Sequence, residues 1–393
     1  MLISKQLNDN ISYSSFIVDG GAEEHFIVLQ ANKELNFTRA LSDLHDRYKE
    51  CLIALGLSIA TQVFTRVYLS DIANQRTPLL VSKLHQFYGE GAFSIIQQCP
   101  LNGSSFSLLC YHIKPIDQNL NREHIMLDAE GWRNALSIKG NNYQLLFSGN
   151  FSGQGAFDSS VQTTDLFNTY GDLLKTQKMT LLDNVVRTWI YVRDIDNHYM
   201  GMVKARVDHF NEHGLDQTTR YIASTGIEAQ LGLTDSLVAM DAVSVSNLEP
   251  RQIIRMEALD HISPTHRYGV TFERGARVDF GDRSHFYISG TASIDSMGNV
   301  LHPGDVTKQT LRTLENITAL LHSQGANLSD MAYFIVYLRN LTTAVEVKRI
   351  LAQAISKEIP MIFVEGTVCR PGWLVEIEGI GVKEAKQPYP NFL

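Results

Sequence analysis

Nowhere in this 393-residue chain is there a hydrophobic run approaching the roughly 18 apolar residues that a membrane helix needs. Residues 1–10, MLISKQLNDN, lack the apolar core of a signal peptide, so no membrane partner is expected and the expected location is cytoplasmic. Cysteine is scarce. Cys51, Cys99, Cys110 and Cys369 are the four present, none in a CxxC pair, which excludes a disulfide scaffold and points to reduced thiols. Charge of one sign is never concentrated, and the net charge of −8 repels a phosphate backbone, so no nucleic-acid partner is expected. A local basic site for a small anion is compatible with that balance. The glycines at 149, 153 and 155 fit neither GxGxxG nor GxxxxGK[ST], so no nucleotide loop is read there. The thirteen histidines show no HExxH and no paired metal spacing, and neither a metal nor an organic cofactor is expected.

What the chain does contain is repetition. In its last third, 284–291 (SHFYISGT) reads as a buried strand. Residues 306–321 follow, with Val306, Thr310, Leu314, Ile317 and Leu321 on one helical stripe and Gly325 as the stop. A β-rich run at 332–339, a helix at 343–356 and strands at 361–367 and 373–382 complete the unit. The middle third repeats that order with strands at 143–149, 187–194, 221–227 and 236–245 and helices at 161–175 and 198–213. The first third is fainter: a helix at 38–55, then strands at 61–71, 93–99 and 104–114. The central strands end alike, at Asp71, Asp194 and Asn340.

The fold class expected is therefore α/β (α+β): three fused β-α-β-α-β-β units at 1–120, 135–255 and 268–393, joined by polar linkers around 115–122 and 260–267. Each unit covers one sheet face with its own helices and needs its sisters to cover the other, which implies a pseudo-trimeric arrangement with clefts between units. Three fused units leave no need for subunit exchange, so a monomer is expected.

The last strand reads WLVEIEGIGV from Trp373. Period-two alternation puts Leu374, Glu376, Glu378 and Ile380 on one face, two carboxylates on an otherwise apolar strand. Burial and mutual repulsion raise a carboxyl pKa and keep an acid protonated near neutrality. Aligning the repeats sets Glu376 over Ala239 and Glu378 over Asp241, and the first copy has no carboxylate there. A carboxylate found once points to function, so Glu376 is the candidate acid. Cys369 and Arg370 precede it; a guanidinium there would grip a substrate carboxylate, and the thiol is either packing or a site residue.

These residues resemble the Rid superfamily of enamine/imine deaminases: ISGT at 288–291, the PGDVxxQTxxTLENI helix from Pro303, and the closing VEIEGI. That resemblance implies Rid-like units. It also marks a departure: Ile362 stands where the deaminases carry a substrate-gripping Arg. The chorismatases within that superfamily are more similar. They share SGTAS (289–293), ASTGI (223–227), RTW (187–189) and a Cys-Arg…Val-Glu-Ile-Glu ending at 369–378. This resemblance implies a single site in which Glu376 protonates the enol-ether methylene of chorismate so that pyruvate leaves. It further implies a small carboxylate substrate held by Arg187, Arg206, Arg220, Arg339 and above all Arg370, with Thr225, Gly226, Ser289 and Gly290 at the substrate and Cys369 beside the acid. Members with Cys at the 369 position form hydroxybenzoates rather than a dihydrodiol. His302 stands in for a histidine that those proteins carry after the SGTAS strand. The alternatives are a Rid-type deaminase using a shifted guanidinium, and a non-catalytic binder of a small acid.

Overall fold

The computed structural model describes residues 1–116, 120–128, 132–233, 235–355 and 358–393. The expected linker at 115–122 thus lies partly, at 117–119, outside the described residues, as does residue 356 at the expected end of a helix.

The first unit runs β1 (Leu2–Asn8), β2 (Ile11–Phe16), β3 (Glu23–Gln30), α1 (Phe37–Leu55), β4 (Gln62–Leu69), α2 (Ile72–Leu80), α3 (Lys83–Tyr88), β5 (Ala92–Gln97) and β6 (Phe106–Lys114). The second runs β7 (Asn121–Met126), β8 (Asn134–Lys139), β9 (Gln144–Ser152), α4 (Ser159–Thr176), α5 (Leu181–Asn184), β10 (Val185–Val192), α6 (Ile195–Glu212), β11 (Ala223–Glu228), β12 (Gln230–Leu231) and β13 (Val238–Val245). The third runs β14 (Ile253–Arg255), β15 (Gly275–Asp279), β16 (Arg283–Thr291), α7 (Val306–His322), β17 (Met331–Leu338), α8 (Ala344–Ala354), β18 (Met361–Glu365) and β19 (Val375–Glu384).

The three sheets share one topology, with strand orders β1-β2-β3-β6-β4-β5-β12, β7-β8-β9-β13-β10-β11 and β14-β15-β16-β19-β17-β18. The pairs β4/β5, β10/β11 and β17/β18 are parallel, joined by helical crossovers; the rest are antiparallel. The expected three-unit α+β architecture is present. The second and third sheets, however, each carry two leading strands beyond the four expected, and the first carries three, β1 to β3, beyond the three read there, with β12 of the second unit paired to its far edge. β7 (NREHIM) is largely exposed and β14 has three residues, so these edges carry little hydrophobic signal. The second sheet accordingly starts at Asn121, and the third takes in Ile253–Arg255, ahead of the 260–267 stretch read as a linker.

Local chemistry sets the helix ends. Asn36 caps α1 by accepting from the Arg39 N–H, and Gly56 closes it in the left-handed region, φ 64°. Asp305 caps α7 through the Lys308 N–H. All eight residues of β17 (MAYFIVYL) are buried, because helices cover one face and the neighbouring units the other. Each large apolar side chain removed from water there contributes about 1.5–3 kcal/mol.

Units meet through β-edge contacts. Asn134 and Asn150 of the second unit accept from the Phe93 and Ile95 N–H groups of the first, at 2.8 and 3.0 Å. At that contact a Cβ on Gly149 would lie 2.1 Å from the Phe93 carbonyl oxygen. The third unit reaches the first through Leu101 N–H to Phe363 O, 2.8 Å. The second meets the third through Glu273 N–H to Ile222 O and Ser224 N–H to Ser289 Oγ, 3.1 and 2.9 Å. No helix among the described residues is long and apolar enough to cross a membrane.

Candidate active site

Strand β19 is the central strand of the third sheet, between β16 and β17. Its register sets Glu376 opposite Tyr337, just as Ala239 lies opposite Tyr191 and Ser107 opposite Tyr68. The same slots hold Glu378, Asp241 and Leu109, opposite Ile335, Trp189 and Arg66. A carboxylate at the Glu376 slot therefore occurs in one unit of the three.

The two glutamates of β19 have opposite surroundings although both are buried. Glu378 is fully engaged. It pairs with the buried Arg187 guanidinium and accepts from Thr225 Oγ1, Trp189 Nε1 (2.8 Å) and Tyr337 OH (2.8 Å). Trp189 also lies under the Arg187 guanidinium, 4.7 Å from its ring centroid. Asp241 repeats the arrangement one unit away, paired with buried Arg66 at 2.9 Å.

Glu376 has no hydrogen-bond partner among the described residues, and its carboxyl faces a cavity of about 260 Å³ between the second and third units. Burial first, then the Glu378 carboxylate, raise its pKa to about 8, against the pull of Arg274 and Arg187. A carboxyl in that state is a proton donor at neutral pH. Gly290 on β16 leaves the room it occupies: a Cβ there would fall 2.0 Å from Glu376 Oε1 and 3.0 Å from Thr225 Cγ2. Thr225 Oγ1 accepts the Gly290 N–H at 2.9 Å, which ties β11 to β16 beneath the cavity.

One wall is a stripe of α6, with Tyr199, Met200, Val203 and Arg206 at helical spacing. Phe272 and Arg274, from the segment leading into β15, form another. The Arg206 and Arg274 guanidiniums both lie over the Phe272 ring, at 5.9 and 5.4 Å. Arg370 lies over Trp373 at 4.8 Å and donates to Gly298 O at 3.1 Å. Three cationic side chains thus line one pocket with a neutral acid, a setting for a small polycarboxylate. Cys369 lines it too. Burial, then the Glu376 charge, push its thiol up to about 12, so it is protonated and adds bulk and polarisability rather than a thiolate.

Of the residues expected at a site, Glu376, Cys369, Arg370, Arg206, Thr225, Gly226 and Gly290 line this cavity. The others do not. Arg187 sits behind the wall on Glu378 and Thr225, and Ser289 joins Ser224 N–H to Glu273 O. Arg220 is spent on the carbonyls of Leu182 and Val185, at 2.7 and 2.8 Å. Arg339 holds Asp196 and Val368 O. His302 is exposed, in a left-handed turn with φ 56°. Arg274, Phe272, Tyr199 and Trp373 were not expected. The α6 stripe was open to a period-3.6 count, whereas the Phe272–Arg274 segment carries no pattern that marks it.

A second cavity of about 50 Å³ is lined by all three units and includes Glu24, Arg66 and His285. Its charges are consumed in pairs: Glu24 with Arg283 (2.7 Å) and His285 (2.9 Å), and Arg66 with Asp241. It cements the units. The expectation of no paired metal spacing also needs correction, because His209 on the last turn of α6 and His213, the residue that caps it, stand four positions apart with Glu212 beside them.

The profile of the family described as Endoribonuclease L-PSP matches residues 279–383. A chorismatase of Streptomyces rapamycinicus is 29% identical over 219 residues, which cover 50% of this chain and 64% of that protein, so the chain spans less than two thirds of that relative's length. A RutC family protein of Pyrococcus abyssi is 30% identical over 99 residues, covering 25% of this chain and 78% of that protein. Among solved structures, a crystal structure of chorismatase superposes with a TM-score of 0.61 at 19% identity, over 82% of this chain and 93% of that one, a likeness of fold.

Proposed function

This chain belongs to the RutC (Rid) family, and on that premise we propose that it is a chorismatase-like enzyme, cleaving pyruvate from chorismate or a related enol-ether acid with Glu376 as general acid. The observation that carries this reading is a buried, unpartnered carboxyl, with its pKa raised to about 8, facing a cavity lined by Arg206, Arg274 and Arg370.

In this reading the guanidiniums hold the substrate carboxylates and orient the enol ether toward Glu376. Glu376 gives its proton to the methylene carbon, leaving positive charge on the ether-bearing carbon. Water adds there and returns one proton to the Glu376 carboxylate, its other proton passes to the ring oxygen as the bond from that carbon to that oxygen breaks, and pyruvate departs from the ring alcohol. Loss of water from that alcohol gives a hydroxybenzoate, the product class to which the Cys369 resemblance leans. Arg187 and Glu378 do not touch substrate; the pair fixes the strand face, and the Glu378 charge, with burial, keeps Glu376 protonated against the pull of Arg187.

Two facts weigh against an imine deaminase of ordinary geometry: position 362 is a buried Ile, and the guanidiniums come from other elements. The test is incubation with chorismate and assay of pyruvate and of the aromatic product. Stoichiometric pyruvate supports the reading. Ammonia release from generated 2-aminoacrylate without pyruvate would favour the deaminase, and saturable carboxylate binding without turnover a binding protein. Each unit's open sheet face is covered by its sisters within one chain, so the working form proposed is a monomer; an obligate trimer on sizing would contradict that.

A further inference from the structure

The last turn of α6 carries a group that the chemistry above does not use. One ring nitrogen of His209, one of His213 and a carboxylate oxygen of Glu212 all lie within 4.8 Å of one another. The i, i+4 spacing puts both imidazoles on one helix face, and their rings stack with centroids 4.1 Å apart. His213 Nδ1 lies 2.8 Å from the His209 carbonyl oxygen and donates to it, which makes Nε2 the His213 nitrogen that carries the lone pair a metal needs. His209 is only 4% exposed, seated against Phe167, and its Nε2 has no hydrogen-bond partner among the described residues. A buried polar nitrogen without a partner is costly unless something binds it. The helix C-terminus adds its partial negative charge.

From this geometry we propose that His209, Glu212 and His213 form a site for one divalent transition-metal cation of the zinc class. Two imidazoles and a carboxylate, with the remaining position taken by water, match the preferences of that ion. Glu212 and His213 are exposed and can rotate to close the ligand set, while His209 is already fixed by packing. A bound ion would cross-link the final turn of the helix whose preceding turns carry Val203 and Arg206 on the cavity wall.

The experiment uses the whole chain, stripped with chelator and then titrated with zinc chloride by calorimetry and with cobalt chloride by visible absorption. One equivalent of zinc is expected, with a cobalt d–d band and a melting temperature raised by roughly a few degrees at saturating zinc. His213→Ala and Glu212→Gln, both at exposed positions, should each weaken binding at least about ten-fold, whereas His322→Ala, an exposed histidine elsewhere, should leave it unchanged. Absence of stoichiometric binding, binding that survives His213→Ala, or equal loss in His322→Ala would overturn the assignment. None of these readouts depends on pyruvate release, so the proposal stands or falls apart from the enzymatic reading.

Discussion

Gly290 and Glu376 share one volume: a Cβ at position 290 would stand 2.0 Å from Glu376 Oε1 and 2.8 Å from its carboxyl carbon. Gly290→Ala must therefore push the carboxyl out of its place, while the clash falls mainly on the end of one side chain. The expected outcome is a folded protein with turnover lowered by about 10²-fold, since displacement of a reacting group by an ångström costs that much. Steady-state kinetics beside a melting curve check it; wild-type turnover would show that the carboxyl position is unimportant.

The pH dependence follows from the same carboxyl. Glu376 must carry its proton to act, and its pKa lies at about 8. Turnover should be flat below that value on this limb and fall as pH rises through it. Glu378→Gln removes the neighbouring negative charge, lowers the Glu376 pKa, and should move the alkaline limb to lower pH. A profile that rises through pH 8 would contradict the assignment.

Stability should also fall with rising pH, over a window that begins lower than the one for activity. The folded pKa of about 8 exceeds the model-compound value of 4.5, so unfolding releases this proton at pH values between the two. The group's contribution to stability is full below about 4.5 and is lost as pH rises to about 8. Glu376→Gln cannot ionise, so its melting temperature should gain on the wild type across that window, measured by calorimetry at several pH values. A gap that shrinks with pH would refute the burial argument.

Breaking the Arg187–Glu378 pair is a different experiment. Arg187→Met leaves a buried carboxylate with only neutral donors, Trp189, Tyr337 and Thr225. The expected cost is about 3–5 kcal/mol in denaturant unfolding, with Arg187→Met/Glu378→Gln recovering part of it. Equal losses in the single and double variants would mean that the pair is not coupled.

Much of this was legible because repetition multiplies weak signals. Three copies of one strand–helix order exposed the architecture, and the odd carboxylate among three aligned last strands singled out Glu376. The leading strands escaped because β7 and β14 are polar or short and take their place from their partners, not from their own pattern. Among the arginines, type alone says nothing of direction. Arg220 and Arg339 satisfy backbone carbonyls, whereas Arg274 lines the cavity from a segment with no periodicity. The His209–His213 spacing was readable, but only α6 as a formed helix brings Glu212 to the same point.

The central claim is that a neutral Glu376 hands a proton to the substrate, and the most direct test is the chorismate-dependent kcat of Glu376→Gln beside the wild type and Cys369→Ala. The account predicts pyruvate release by the wild type, a fall of about 10²-fold or more in Glu376→Gln, and a change under ten-fold in Cys369→Ala. Equal rates for wild type and Glu376→Gln, or no pyruvate from either, would contradict it.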